Sequence, residues 1–161
     1  MNLGLNKELI MDKNKDIESI NINRIQDFNE KHFIVIQKLL LQLSPDLQLP
    51  TKADFKQMLK SENTHLFIAE LENSEIVGMI TIGTYDIPSG KRIWIEDVVV
   101  DSSHRGKKYG EQLTVFAISY CKSFGGADIR LTSRPERIAA NDLYQKLGFV
   151  KYETNVYKLT L

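Results

Sequence analysis

The stretch IWIEDVVVDSSHRGKKYGEQL, residues 93–113, brings two kinds of chemistry close together. Glu96 and Asp97 sit in the middle of an apolar run that reads as a buried strand, and on a regular pleat adjacent side chains face opposite sides. A few residues on, Arg105-Gly106-Lys107-Lys108-Tyr109-Gly110 hands this strand over to a helical pattern. The free N–H groups of a helix's first turn, and the positive end of its dipole, attract anions. Glycine lets the backbone approach such an anion, and three cations add countercharge, so a pyrophosphate is the natural ligand. A nucleotide triphosphatase loop is excluded, because it needs G-x-x-x-x-G-K-[ST] and Gly110 is followed by Glu111. Taken alone, the loop reads equally as a solvated basic turn.

The elements that must position these groups follow from periodicity. Residues 17–25 alternate and supply a first strand, and residues 28–43 place Phe33, Ile36, Leu39 and Leu40 on one helical stripe. SPDLQLPTKAD is a loop, after which Thr51 or Asp54 caps a short helix through Leu59. Residues 65–71 and 75–85 read as strands, and residues 86–91 as the turn into the acid-bearing strand. Behind the cationic loop, Leu113, Phe116, Ala117, Tyr120, Cys121 and Phe124 form one apolar helix face, ended by Gly125-Gly126. Residues 127–133 are the next strand, in a right-handed strand-helix-strand unit. Ser133 and Glu136 then have capping-box spacing ahead of a helix that Gly148 stops, and residues 149–153 and 155–161 are expected to close the sheet. The fold class is thus α/β, a mixed and mostly antiparallel sheet with a parallel strand pair, flanked by helices.

Composition limits the function. A 161-residue chain with 42% hydrophobic and 26% charged residues fits one domain, here residues 17–161 behind a polar extension, residues 1–16. Lys+Arg and Asp+Glu are both 21, so no overall field draws the protein to nucleic acid or membrane. A single cysteine forbids an internal disulfide, and no apolar run approaches the ~20 residues of a membrane span. A cytoplasmic location is expected. Cys121 reads as core. His32 and His65 have no metal-spaced partners, so no metal is expected. His104 reads as a turn histidine, and Trp94 suits the cleft or the core equally.

Two segments resemble signatures of the GNAT superfamily, the acyl-CoA-dependent N-acyltransferases. Residues 105–110 are similar to Q/R-x-x-G-x-G/A, and AANDLYQKLGF, residues 139–149, is similar to A-x-x-L-Y-x-x-x-G-F. Lys108 stands where the middle glycine is usual and is expected to stay helical, and Arg137 replaces a usual asparagine. The resemblance implies that acetyl-CoA, the co-substrate, lies in a gap between the fourth and fifth strands. Val98, Val99 and Val100 would then offer backbone groups to the pantetheine arm, and residues Arg105, Gly106, Lys107, Lys108, Tyr109 and Gly110 would take the pyrophosphate. Arg137, Asn141 and Tyr144, on one helix face, would look towards the arm, with Tyr144 near the sulfur.

The same resemblance gives Glu96 the role of base towards a primary amine, with a raised pKa, and Tyr144 that of acid to the departing thiolate. Asp97 is expected on the opposite face, in a structural role, unless a bulge shifts the pleat. Acceptor choice would lie in residues 41–55 and the 86–91 turn, for a small-molecule or peptide amine. A homodimer through the last strands fits the family pattern. The rival readings are an acyl-CoA sensor or scaffold without turnover, against which Glu96 and Tyr144 both count, and a nucleotide- or RNA-binding domain using the loop, against which the neutral charge and the lack of an aromatic-basic strand motif count.

Overall fold

The computed structural model describes residues 18–125 and 128–160; the extension expected at residues 1–16 lies outside them. In chain order the elements are β1 (Asn21–Ile25), α1 (Glu30–Leu43), α2 (Lys52–Leu59), β2 (Thr64–Glu70), β3 (Ile76–Ile87), β4 (Gly90–Val100), α3 (Tyr109–Cys121), β5 (Ile129–Arg130) and α4 (Ile138–Lys146). A five-stranded sheet runs β1-β2-β3-β4-β5. The first four strands pair antiparallel, and β5 joins β4 in parallel. Among the described residues no helix is long and apolar enough to cross a membrane.

Each sheet face has its own apolar cover. On one, Leu113, Ala117 and Cys121 of α3 pack with Phe67, Ile82, Ile93 and Ile95, as the helical stripe predicts. On the other, Phe33, Ile36 and Leu39 of α1 and Phe55 of α2 pack with Leu66, Ile68 and Met79. Thr51 is the residue that caps α2, with a reciprocal bond from its own N–H to the Asp54 carboxylate. Gly78 lets β3 and α3 come together: a Cβ there would lie 2.8 Å from the Val99 carbonyl oxygen and 3.2 Å from Leu113 Cδ1.

Four expectations need correction. The 86–91 turn is shorter, because β3 and β4 pair out to Ile87 and Gly90, leaving Pro88 and Ser89 as the turn. The strand expected at 127–133 pairs only at Ile129 and Arg130, since β4 turns away soon after their partners Ile93 and Trp94. Residues 149–160 form no strand: β5 presents too short an edge to template one, and Val150, Tyr152 and Tyr157 are exposed. The S-x-x-E capping box does not form either. Residues 134–137 make a turn closed by Arg137 N–H to the Arg134 carbonyl, and α4 begins only at Ile138. Spacing of this kind marks where a cap can form; where the helix starts depends on the turn before it.

Candidate active site

The opening pair of acids owes its geometry to a β-bulge. Thr81 pairs with Glu96 and Met79 with Val99, so Ile80 alone faces the two residues Asp97 and Val98. Asp97 takes the left-handed conformation, φ 49°, which aspartate tolerates better than most residues. The extra residue resets the alternation. Before it Ile93 and Ile95 point to the α3 side; after it Val98 and Val100 do, while Val99 joins the α1/α2 core. Glu96 therefore shares the α1/α2 face with Thr81, and Asp97 lines a cavity there with Thr81 and Met79. The expectation that Asp97 faces the opposite side is corrected by this bulge.

Both carboxyls are accessible to solvent in the cleft, yet the surrounding wall shifts them. Desolvation, then the neighbouring Asp97 charge, raises the Glu96 pKa, and desolvation raises that of Asp97. The indole N–H of Trp94, two residues before Glu96, donates to the Tyr85 hydroxyl at 3.3 Å.

Beyond Trp94, β4 and β5 have no ladder, so the β4 edge from the bulge to Val100 is left facing a gap. That gap leads to the cationic loop. Gly106 has φ 83° with open space where a Cβ would stand, and Lys108 has φ 63°. Lys108 is thus left-handed, correcting the expectation that it stays helical; it adopts the conformation a glycine takes without strain. It is the N-cap of α3, and no side chain caps that helix. A loop with room over Gly106, uncapped N–H groups and basic side chains fits a pyrophosphate.

The loop residues do not all face outward. Tyr109 is buried, and its hydroxyl donates to the Glu18 carboxylate. Burial and that carboxylate push the Tyr109 pKa up to about 12, and the same hydrogen bond, then Lys107, lowers that of Glu18. Lys107 Nζ lies 3.7 Å from Glu18, and Gln112 bonds the backbone at Glu18 and Ile20. Sequence reasoning missed this acidic strap, because the pairing joins residues about ninety apart. Arg105 Nε donates to the Val100 carbonyl at 3.4 Å. His104 lies 3.6 Å from Glu75 and near Asp101, a structural environment instead of a free turn.

Helix α4 is fixed at both ends. Arg137 Nη2 donates to the Leu43 carbonyl at 2.8 Å, and Lys146 meets Glu111 at 2.7 Å. A Cβ on Gly110 would lie 3.8 Å from both Leu143 and Val100, so α4 runs close beside the loop and the end of β4. Asn141 donates back to the Arg134 and Arg137 carbonyls, which makes Arg137 and Asn141 organisers of the turn before α4. Tyr144 packs edge-on against Phe149, ring centroids 5.9 Å apart. Burial raises its pKa, opposed in part by Arg137, so its hydroxyl keeps its proton at neutral pH. Among the described residues no cluster of His, Cys, Asp and Glu is fit to hold a metal.

Residues 26–149 match the family described as Acetyltransferase (GNAT) family. The chain is 25% identical over 113 residues to the uncharacterized N-acetyltransferase YhdJ of Bacillus subtilis (strain 168), covering 69% of this chain and 80% of that one. A shorter match, 53% over 59 residues, is to the glucosamine 6-phosphate N-acetyltransferase of Arabidopsis thaliana, covering 37% of this chain and 38% of that enzyme. The crystal structure of the Arabidopsis enzyme superposes with TM-score 0.72 at 26% identity, over 88% of this chain and 99% of that chain. An aminoglycoside acetyltransferase, meta-AAC0020, from an uncultured soil metagenomic sample reaches TM-score 0.78 at 20% identity, over 88% and 96%. At the same 20% identity, the aminoglycoside N-acetyltransferase AAC(6')-Iy in complex with CoA gives TM-score 0.72, over 88% and 95%. With its family signatures, strand order and parting β4–β5 pair in agreement, the chain belongs to the GNAT family of acetyltransferases.

Proposed function

We propose that this enzyme transfers the acetyl group of acetyl-CoA to a primary amine of a small molecule or peptide, by direct attack in a ternary complex in the cytoplasm. The observation that carries this is the β4 edge left open beyond Trp94, with a bulge that brings Asp97 into the cavity on the same sheet face as its neighbour Glu96, both with raised pKa. Bound acetyl-CoA would supply the activated thioester, releasing CoA as the acetyl group passes to nitrogen. Backbone groups of Val98–Val100 suit a pantetheine arm laid along the open β4 edge, and the loop at residues 105–110 suits the pyrophosphate. Glu96 takes a proton from the ammonium form of the acceptor, directly or through water, freeing the nitrogen lone pair. Backbone N–H groups of the same strand would support negative charge on a carbonyl oxygen. Tyr144, protonated at neutral pH, holds the proton that a departing thiolate requires.

The test is calorimetric titration with acetyl-CoA at two salt concentrations, with ATP as control, followed by thiol release with an amine panel. Saturable, salt-weakened acetyl-CoA binding and amine-dependent thiol release are expected. No acetyl-CoA binding by folded, CoA-free protein would overturn the reading.

A further inference from the structure

The cavity that Asp97 lines has a volume of about 510 Å³, in the range of small-molecule sites. It is roofed by α1, α2 and the segment joining them, and floored by β2, β3 and the bulge of β4. Its walls are Leu40, Leu47, Leu49, Phe55, Met58 and Met79, with a few hydroxyl and amide groups among them. Among the described residues no Lys, Arg or His lines it. A phosphate monoester carries close to two negative charges and calls for cations or converging N–H donors, and this cavity supplies none from its side chains. An amino sugar brings a hydroxyl on nearly every carbon, and each one left against leucine or methionine loses water without gaining a partner.

The cavity holds two carboxylates, and they are not equivalent. Asp54 is committed to α2: its Oδ2 accepts from both the N–H and the hydroxyl of Thr51. Asp97, on the sheet floor beside Glu96, is the acid placed to meet an ammonium at the reacting end. The cavity thus offers an acid at the reacting end and an apolar body, with the still charged Asp54 already hydrogen-bonded to Thr51 at the start of α2.

We propose that the acceptor is a primary monoamine carried on an apolar body, an arylalkylamine or alkylamine, seated with its nitrogen at Asp97 and Glu96 and its hydrocarbon among Leu47, Leu49 and Met58. This inference rests on the acetyl-transfer reading above and narrows its acceptor. Asp97 acts as the ammonium's anchor, and Glu96 as its base. The acceptors named for the relatives, aminoglycosides and glucosamine 6-phosphate, are amino sugars, a different chemical class from the one proposed.

The experiment measures thiol release at saturating acetyl-CoA with five acceptors: 2-phenylethylamine, hexylamine, 1,6-diaminohexane, glucosamine 6-phosphate and kanamycin. Hexylamine and 1,6-diaminohexane differ by one charged end, which makes them a matched pair. We expect kcat/KM for phenylethylamine and hexylamine to exceed the other three by at least about tenfold. Leu47→Lys, at the exposed rim, should lower kcat/KM for hexylamine by about tenfold and leave the acetyl-CoA Kd unchanged. A preference for the diamine, the sugar phosphate or kanamycin overturns the inference, as does acetyl-CoA binding without turnover of either apolar amine. Absence of acetyl-CoA binding to folded protein instead removes the transfer reading beneath it.

Discussion

At the scale of single residues, the two acids of β4 separate the roles of charge and of backbone. Glu96→Gln should remove the acid limb of the kcat/KM profile, a limb that lies above the ordinary glutamate range because Glu96 is desolvated beside Asp97. The rate should fall by about 10²- to 10³-fold at neutral pH, the usual contribution of a positioned base. The sign for stability is opposite. A carboxyl whose folded pKa is raised opposes folding once ionised, so the same variant should be slightly more stable at pH 7, with the gain disappearing at acidic pH. A rate loss accompanied by a lower Tm would point to misfolding in place of lost chemistry. Lys108→Gly tests the backbone: relieving left-handed strain should stabilise the fold by about 1 kcal/mol in urea denaturation, while acetyl-CoA binding loses part of its salt dependence with the charge. The types of these residues were legible in the sequence, and their orientation was not. Alternation puts Asp97 behind the sheet, and only the pairing of Ile80 against two residues brings it into the cavity.

At the scale of elements, what positions the site is how β3, β4, α1 and α3 are fastened together. Asp101, at the end of β4, accepts from Ser103 and from Gln42 of α1, and Gln42 in turn accepts from the Ser102 N–H. These bonds, the Ser103 hydroxyl foremost and Gln42 next, hold the Asp101 pKa down to about 2. A depressed carboxyl stabilises the fold above its unfolded value of 3.8, and that contribution is lost as pH falls towards 2. Asp101→Asn should therefore cost about 1 kcal/mol at pH 7, allowing for its partial exposure, with the difference from wild type closing at acidic pH. Equal curves at neutral pH would mean the clamp contributes nothing. Gly78→Ala should cost about 2 kcal/mol, since its Cβ would meet backbone at 2.8 Å and β3 and β4 cannot both stay in register. The helical stripes of α1 and α3 and the cap of α2 were readable because each is set by local spacing. The short β5 and the unpaired residues after 149 were not, because a strand exists only where another strand's edge is available to it.

At the scale of the whole molecule, the neutral composition hides a local polarity. Lys107 and Lys108 stand at the start of α3, and Glu18, reaching from ahead of β1, pairs with Lys107. Nothing in the signature at residues 105–110 signals that partner, which folding brings from the other end of the chain. The strap has two opposed effects: Glu18, with Gln112, ties the segment before β1 to α3, and its charge offsets the positive field of the loop, which would weaken the proposed binding of a pyrophosphate there. Glu18→Gln keeps a hydrogen-bond acceptor for the Tyr109 hydroxyl and removes the charge. Acetyl-CoA binding should tighten by about threefold at low salt, and the gain should shrink as salt screens the loop. The Tyr109 pKa, freed of the nearby carboxylate, should drop below about 12 in a spectrophotometric titration. Unchanged affinity at low ionic strength would show that the strap and the phosphate loop do not share a field. Acetyl-CoA binding to the folded state alone also stabilises it, by about 2.7 kcal/mol at a hundred times Kd. A thermal shift with acetyl-CoA that is larger for Glu18→Gln than for wild type at equal, sub-saturating ligand would tie the charge at the N-terminal end of the fold to the affinity of its cofactor loop.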